Sequence, residues 1–300
     1  MKLALLVNPS AGRGRSRRLI ARAIDCLRLG GAELTVLESR DREHLVDLAS
    51  MVSSERFDRV VSCGGDGTLH LVLRGLDLKE AVLGILPLGS GDDFARVLGV
   101  SRRIEDACAT LLEGVVKEVD VATANGIRYL GVAGIGFDSE VARYANERVR
   151  FLRGSLIYLY SVFRVLGKFE PHRIQLDLDD ERSDLDVMFV VVGNSSQYGG
   201  GIRIVPTAEV DDGFLDLCVV ARCSRWQLVK TLPLAYNGRH VSSPFVTLGR
   251  GKRIRVESDE PLDVYADGEP VTRTPVEFGL EKERLRVVVP LERSKIESKE

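Results

Sequence analysis

Apolar and polar positions along the chain follow two different rhythms. Between residue 2 and about residue 115, short β-like apolar runs are each followed by apolar residues spaced three and four apart. The run from Lys2 to Val7 precedes Leu19, Ile20, Ala23, Ile24 and Leu27, which share one helical face closed by Gly30 and Gly31. The alternation repeats as strand Leu34 to Leu37, a helix through Leu45, Leu48, Ala49 and Val52, strand Arg59 to Ser62, helix Thr68 to Leu76 and strand Val82 to Leu86. Helices near Phe94 to Leu98 and Ile104 to Leu112 complete it. Strands separated by helices of about 10–15 residues need crossover connections, which predicts a parallel sheet.

After Val115 the period shortens. Segments 118–124, 128–132, 174–178, 187–192, 214–220, 252–257, 262–266, 276–279 and 285–289 alternate like strands. Turns such as Asn125-Gly126 and Asp267-Gly268 join several of them, which favours antiparallel pairing. One helical stretch, about 139–166, interrupts this β-rich half. The expected division is an α/β domain over 1–122 and a β-rich domain over 123–290, with the charged tail from about 291 to 300 returning to the first. The change of period carries that boundary, because no linker or repeat marks it.

Composition narrows the classes. The chain has 300 residues, 44% hydrophobic and 29% charged, enough for two ordinary cores. Its 42 basic and 44 acidic side chains leave a formal charge of -2, so no global field suits a dedicated nucleic-acid binder. The five cysteines have no CxxC spacing, which points away from a disulfide framework or a zinc site and toward a reducing cytoplasm. The opening apolar run stops at Asn8-Pro9 without a cleavage site and reads as a strand. Apolar runs fall well short of the roughly 20 residues of a spanning helix, so any membrane contact is expected to be peripheral.

Candidate chemistry sits in three glycine-rich loops that follow strands and open helices: residues 8–15, 64–68 and 87–94. Loops at the carboxyl ends of parallel strands bind ligands, and glycine lets backbone N–H groups crowd an anion at a helix start. None is a Walker or GxGxxG pattern. Instead they carry Asp66, Asp92 and Asp93. Acids in a phosphate site need a cation between them and the ligand, and Mg2+ with its oxygen preference is the natural bridge.

Six ordered blocks give these loops a family likeness: VNPSAG from residue 7, GGDGT, LPLGSGDDFAR, GVAGIGFDSEVA, GNSSQYGGG and DDGFLDL, with DGEPV ending at residue 271. In them the chain resembles the diacylglycerol kinase catalytic-domain superfamily, which includes bacterial lipid kinases, sphingosine and ceramide kinases and, more distantly, NAD kinases. The resemblance implies a Rossmann-like nucleotide domain and a β-sandwich-like domain with the active site in the cleft between them. It implies ATP contacts at Asn8, Ser39, Gly64, Gly65, Asp66, Gly67, Thr68, Leu69, His70 and Ser90. Asp66 and Asp93 would organise catalytic Mg2+ through water. Asp267-Gly268-Glu269 would be the acidic turn of the second domain, with Glu269 as the base on the acceptor hydroxyl. Glu209, Asp212 and Phe214 would hold a structural Mg2+, the first and third through main-chain carbonyls.

The implied activity is transfer of the γ-phosphate of ATP to a hydroxyl of a diacylglycerol-like lipid, by a cytoplasmic protein peripheral at the inner face of the membrane. No nucleic-acid partner is implied, and a homodimer is admissible. NAD-kinase-like phosphorylation of a soluble nucleotide and a non-catalytic nucleotide-binding regulator are the alternatives. Asp92 departs from the family's usual asparagine, and Arg13, Arg15, Arg17 and Arg18 stand where relatives often have lysine. Each residue also has a plainer reading: Asp66 as a helix cap, Asp92 and Asp93 as first-turn acids, Asp267-Gly268 and Asp211 to Gly213 as turns, and the arginines as a solvated face. The basic, aromatic segment 148–167 fits either a packed helix or a lipid-facing one. None of the four histidines is assigned catalysis.

Overall fold

The computed structural model describes all residues except 10–15, 149–154 and 292–300, together with the side chains of residues 16, 146, 147 and 155–159 as further exceptions. Arg13, Arg15 and the tail beyond residue 291 therefore lie outside the described residues. Contacts divide the chain into two compact units.

The alternating half begins β1 (Lys2–Val7), α1 (Ser16–Leu29), β2 (Glu33–Glu38), α2 (Arg42–Ser53), β3 (Arg59–Gly64), α3 (Asp66–Gly75), β4 (Val82–Pro87), α4 (Asp93–Val97), α5 (Ile104–Glu113) and β5 (Val115–Val119). Strands β1 to β4 are parallel in the order β2-β1-β3-β4. Leu3 to Val7 are all buried, as expected of a parallel strand covered on both faces. On α1 the stripe Ile20, Ala23 and Leu27 is buried, and Asp41 caps α2 by accepting the His44 N–H at 2.9 Å.

The remainder comprises β6 (Ala122–Ala124), β7 (Ile127–Tyr129), β8 (Val132–Gly136), α6 (Phe137–Arg148), α7 (Ser155–Leu166), β9 (His172–Leu178), β10 (Glu181–Gly193), β11 (Leu215–Ala221), α8 (Arg225–Ala235), β12 (Val246–Gly251), β13 (Ile254–Ser258), β14 (Asp263–Ala266), β15 (Glu269–Arg273), β16 (Val276–Leu280) and β17 (Leu285–Val289). Apart from β17, these strands form an 11-stranded antiparallel sheet, β15-β14-β8-β10-β9-β13-β16-β6-β7, with β11 and β12 paired off β10. Strand β10 feeds two cores by alternation. Val190 and Val192 join a cluster with Ala124, Phe278 and Ala266. Phe189 and Val191 join another with Val162, Val165, Leu228 and Ala235, where the helices pack. The first cluster draws on both ends of the strand order, so the sheet curls over into a sandwich.

The structure differs from the sequence reading at several places. The expected strand over 118–124 is two strands in different sheets. Between them lies the buried Asp120, whose carboxylate accepts the Gly213 N–H at 2.7 Å and pairs with Arg284 at 3.0 Å. Its satisfied charge anchors the point where the chain leaves one sheet for the other. The stretch over 285–289, expected in the β-rich domain, is β17, which lies between β4 and β5 in the first sheet. Residues Gly89–Val97, expected in the first domain, group with the second unit. The helical stretch at 139–166 is two helices, α6 and α7, and α8 is an additional helix.

Candidate functional site

In the first unit, the carboxyl ends of the parallel strands gather the glycine loop and its neighbours. Asn8, one residue past β1, donates from Nδ2 to Thr68 Oγ1 at 3.3 Å. Ser39, one residue past β2, donates its N–H to Val7 O at 2.9 Å. Gly64 ends β3, and a Cβ there would lie 2.3 Å from Thr68 Oγ1, so the turn into α3 has room for glycine alone. The cap residue of α3 is Gly65, in extended conformation with no side-chain hydrogen bond, and Asp66 is the first residue inside the helix. The plain reading of Asp66 as a cap therefore does not describe its position. Gly67 follows, and Thr68, Leu69 and His70 are buried. What this helix start presents is backbone N–H and one carboxylate, an arrangement suited to an anion approached through a cation.

In the second unit the other acids converge. Asp92 sits at φ 51, in the left-handed region, and its Oδ1 accepts the Gly89 N–H at 2.9 Å, while its carbonyl accepts the Arg96 N–H at 3.0 Å. It shapes the loop that holds Ser90 and starts α4. Asp93 is buried, and its two oxygens take the Gly200 N–H at 2.8 and 3.1 Å, with Arg96 at 3.6 Å. Burial raises the Asp93 pKa; the Gly200 N–H, Arg96 and the Gly201 N–H oppose the rise, and the negative charge of Asp267 adds to it.

Asp267 and Gly268 form the turn between β14 and β15, both at positive φ, as a two-residue hairpin requires. The Asp267 carboxylate accepts three backbone N–H groups, from Leu130 at 3.0 Å, Gly131 at 2.8 Å and Val132 at 3.3 Å. A Cβ on Gly131 would stand 2.6 Å from Asp267 Oδ1, so this approach is open to glycine only. Glu269, half-buried, opens β15 directly after the turn. Sequence reasoning missed the groups that hold these acids. Gly200 and Gly201, at φ 84 and 112, are the donors to Asp93, and their signal was the unassigned run of three glycines at 199–201. The amides of residues 130–132 left no signal in side-chain identity.

Glu209, Asp212 and Phe214 lie in the turn before β11. Asp212 Oδ1 accepts the Phe214 N–H at 3.0 Å, its Oδ2 pairs with Arg250, and the Arg250 guanidinium stacks 4.5 Å from the centre of the Phe214 ring. Nearby Asp216 is buried and accepts from Thr207 through Oδ1 at 3.2 Å, while its Oδ2 has no hydrogen-bond partner among the described residues. Burial raises the Asp216 pKa; the Thr207 hydroxyl and the Arg250 charge oppose the rise, and the charges of Asp212 and Glu209 add to it. Among the described residues no three His, Cys, Asp or Glu side chains form a metal-binding group. A partnerless buried carboxylate oxygen near Asp212 and Glu209 nevertheless fits a hard, oxygen-seeking cation, beside the Arg250 guanidinium that already pairs with Asp212.

Two family models match along the chain: the diacylglycerol kinase catalytic domain over residues 2–124 and the YegS C-terminal NAD kinase beta sandwich-like domain over residues 131–289. A diacylglycerol kinase of Mycobacterium tuberculosis is 31% identical over 296 residues, covering 96% of this chain and 95% of its own. One from Bacillus subtilis is 25% identical over 298 residues, covering 98% of each. The crystal structure of a putative diacylglycerol kinase from Bacillus anthracis superposes with a TM-score of 0.81 at 26% identity, covering 96% of both chains.

Proposed function

Because the chain belongs to the diacylglycerol kinase catalytic-domain superfamily and is a lipid kinase, we propose that it transfers the γ-phosphate of ATP, with Mg2+, to a hydroxyl of a diacylglycerol-like lipid. The observation that carries the reading is the gathering of Asp93, the Gly200 amide and the Asp267 turn that delivers Glu269. Phosphoryl transfer needs the phosphate held in line, its charge neutralised and the hydroxyl proton accepted. Backbone N–H groups of Gly64 to Gly67 hold phosphate, with Asn8, Ser39, Thr68 and Ser90 around the nucleotide. Glu269 accepts the proton of the acceptor hydroxyl. Asp267, its oxygens engaged by three amides, is a positioning residue that fixes the turn carrying Glu269.

Asp66 and Asp93 are the residues that would hold catalytic Mg2+ through water, and the ion's chemistry there is neutralisation of phosphate charge. Glu209 and Phe214 by main-chain carbonyls and Asp212 by carboxylate would hold a structural Mg2+, and the partnerless Asp216 oxygen supports a cation in that turn. The protein acts from the cytoplasm, peripheral at the inner face of the membrane. Incubation with labelled ATP, Mg2+ and either a mixed lipid extract or NAD tests the reading, with mass spectrometry of the product. Label is expected in lipid and lost on chelation, and Asp66→Ala should abolish turnover in a protein that still folds. Label in NADP instead, or wild-type turnover by the Asp66 variant, would overturn it.

A further inference from the structure

The charges of this chain are not evenly spread. Residues 217–256 contain eight of the 42 lysines and arginines and none of the 44 acids. Helix α8 lies at the centre of that stretch. Its inner stripe, Leu228, Thr231 and Ala235, is buried, and Leu228 and Ala235 join the cluster that Val162, Val165 and Leu166 of α7 also enter. The opposite face of α8, by helical geometry, carries Trp226, Lys230 and Pro233, with Leu234 at its flank. An outward helix face is ordinarily polar. Here Trp226 is 76% exposed, and Leu234 and Tyr236 are exposed beside it.

The neighbouring helix repeats the composition. Glu170, just past α7, pairs with Arg225 at the start of α8 at 3.8 Å, and the two helices cover the same face of the sheet. The described outer face of α7 presents Phe163, 54% exposed, with Tyr160 and Arg164. Lys168, Arg222, Lys230 and Arg239 are exposed and make no ion pair among the described residues. Exposed aromatic and aliphatic side chains set among cations that outnumber the acid Glu170 match one environment: the headgroup layer of an anionic bilayer. There indole and phenyl rings sit at the boundary, and long cationic side chains reach the phosphates. A second copy of this chain docked through the same patch would set like charges against each other across a two-fold axis. A nucleic-acid duplex offers no apolar layer for Trp226 and Phe163.

We propose that the outer faces of α7 and α8, carrying Phe163, Trp226 and Lys230, with Arg239 in the turn that follows α8, are the surface by which this protein docks on an anionic membrane. The proposal rests on the lipid-kinase reading for its purpose but not for its test. Trp226 is the one tryptophan of the chain, so its emission reports the surface directly.

Full-length protein is titrated with phosphatidylcholine vesicles containing phosphatidylglycerol, and with pure phosphatidylcholine. The anionic vesicles should shift the emission to shorter wavelength and co-sediment the protein. Raising salt to about 1 M, where screening acts within roughly 3 Å, should weaken both effects. The double variant Lys230→Glu/Arg239→Glu, which keeps the reporter, should bind at least about tenfold more weakly, and Trp226→Ala should weaken co-sedimentation. Both variants should phosphorylate water-soluble dioctanoylglycerol at the wild-type rate. Variants that bind anionic vesicles as the wild type does would overturn the proposal. So would tight binding of a single-stranded oligonucleotide that the charge reversals abolish while vesicle binding persists. Failure of the wild type to phosphorylate dioctanoylglycerol would instead remove the acceptor reading and leave the vesicle result standing.

Discussion

At position 92 an oxygen acceptor and an unusual backbone angle together shape the loop. Asn and Asp both tolerate the left-handed region and both offer Oδ1 to the Gly89 N–H. Asp92→Asn should therefore change stability by less than about 0.5 kcal/mol, whereas Asp92→Ala should cost about 2 kcal/mol through lost acceptor and backbone strain, as urea unfolding would measure. The loop's identity was legible in the sequence, but the reason it accepts either residue was not, because a backbone angle leaves no mark in composition. His240 makes a second residue-scale prediction. It is buried, its Nε2 lies 3.0 Å from Ile204 O, and burial lowers its pKa below the usual 6.5, with the Ile204 contact opposing. The unfolded chain therefore takes up a proton near pH 6.5 while the folded one resists until its own lower pKa. Stability is lost as pH falls through that window. His240→Phe should flatten the change in urea midpoint between pH 7.5 and 5.5; an unchanged slope would exclude His240 as its source.

Among the elements, α8 shows why part of the fold was hidden. Its start carries a complete capping box: Ser224 Oγ accepts the Gln227 N–H at 3.3 Å and Gln227 Oε1 accepts the Ser224 N–H at 2.8 Å. That signature stands in the sequence. The helical period does not, because Trp226 and Leu234 on the outer face blur the inner stripe of Leu228, Thr231 and Ala235. Ser224→Ala should destabilise the protein by about 1 kcal/mol, read as a lower urea midpoint at unchanged m-value. Where one face is polar, as on α1 and α2, the same reasoning places the helices well. The parallel strands were equally plain, since each is a short apolar run between amphipathic helices. Strand β10 was found as its apolar part, and its polar start, 181–186, emerges from pairing with β9.

For the whole molecule, the least legible feature is the return of β17 to the first sheet, between β4 and β5. Its alternation resembles that of the preceding antiparallel strands, and nothing local says which sheet it completes. Leu285, Val287 and Val288 are fully or almost fully buried there. Burying each contributes roughly 1.5–3 kcal/mol, and together they rival the net stability of about 5–15 kcal/mol for a domain. A chain ending at Arg284 should thus lack a cooperative thermal transition of the first unit, a loss that circular dichroism melting would detect. The same strand sets an order of events during synthesis. About 200 residues separate the end of β4 from β17, so at about 5–20 residues per second a ribosome needs roughly 10–40 s to supply the missing neighbour. Until then the loop 64–68 at the end of β3 rests on an unfinished sheet, and the first half of the chain stays exposed to partial unfolding for as long as the second half is being made.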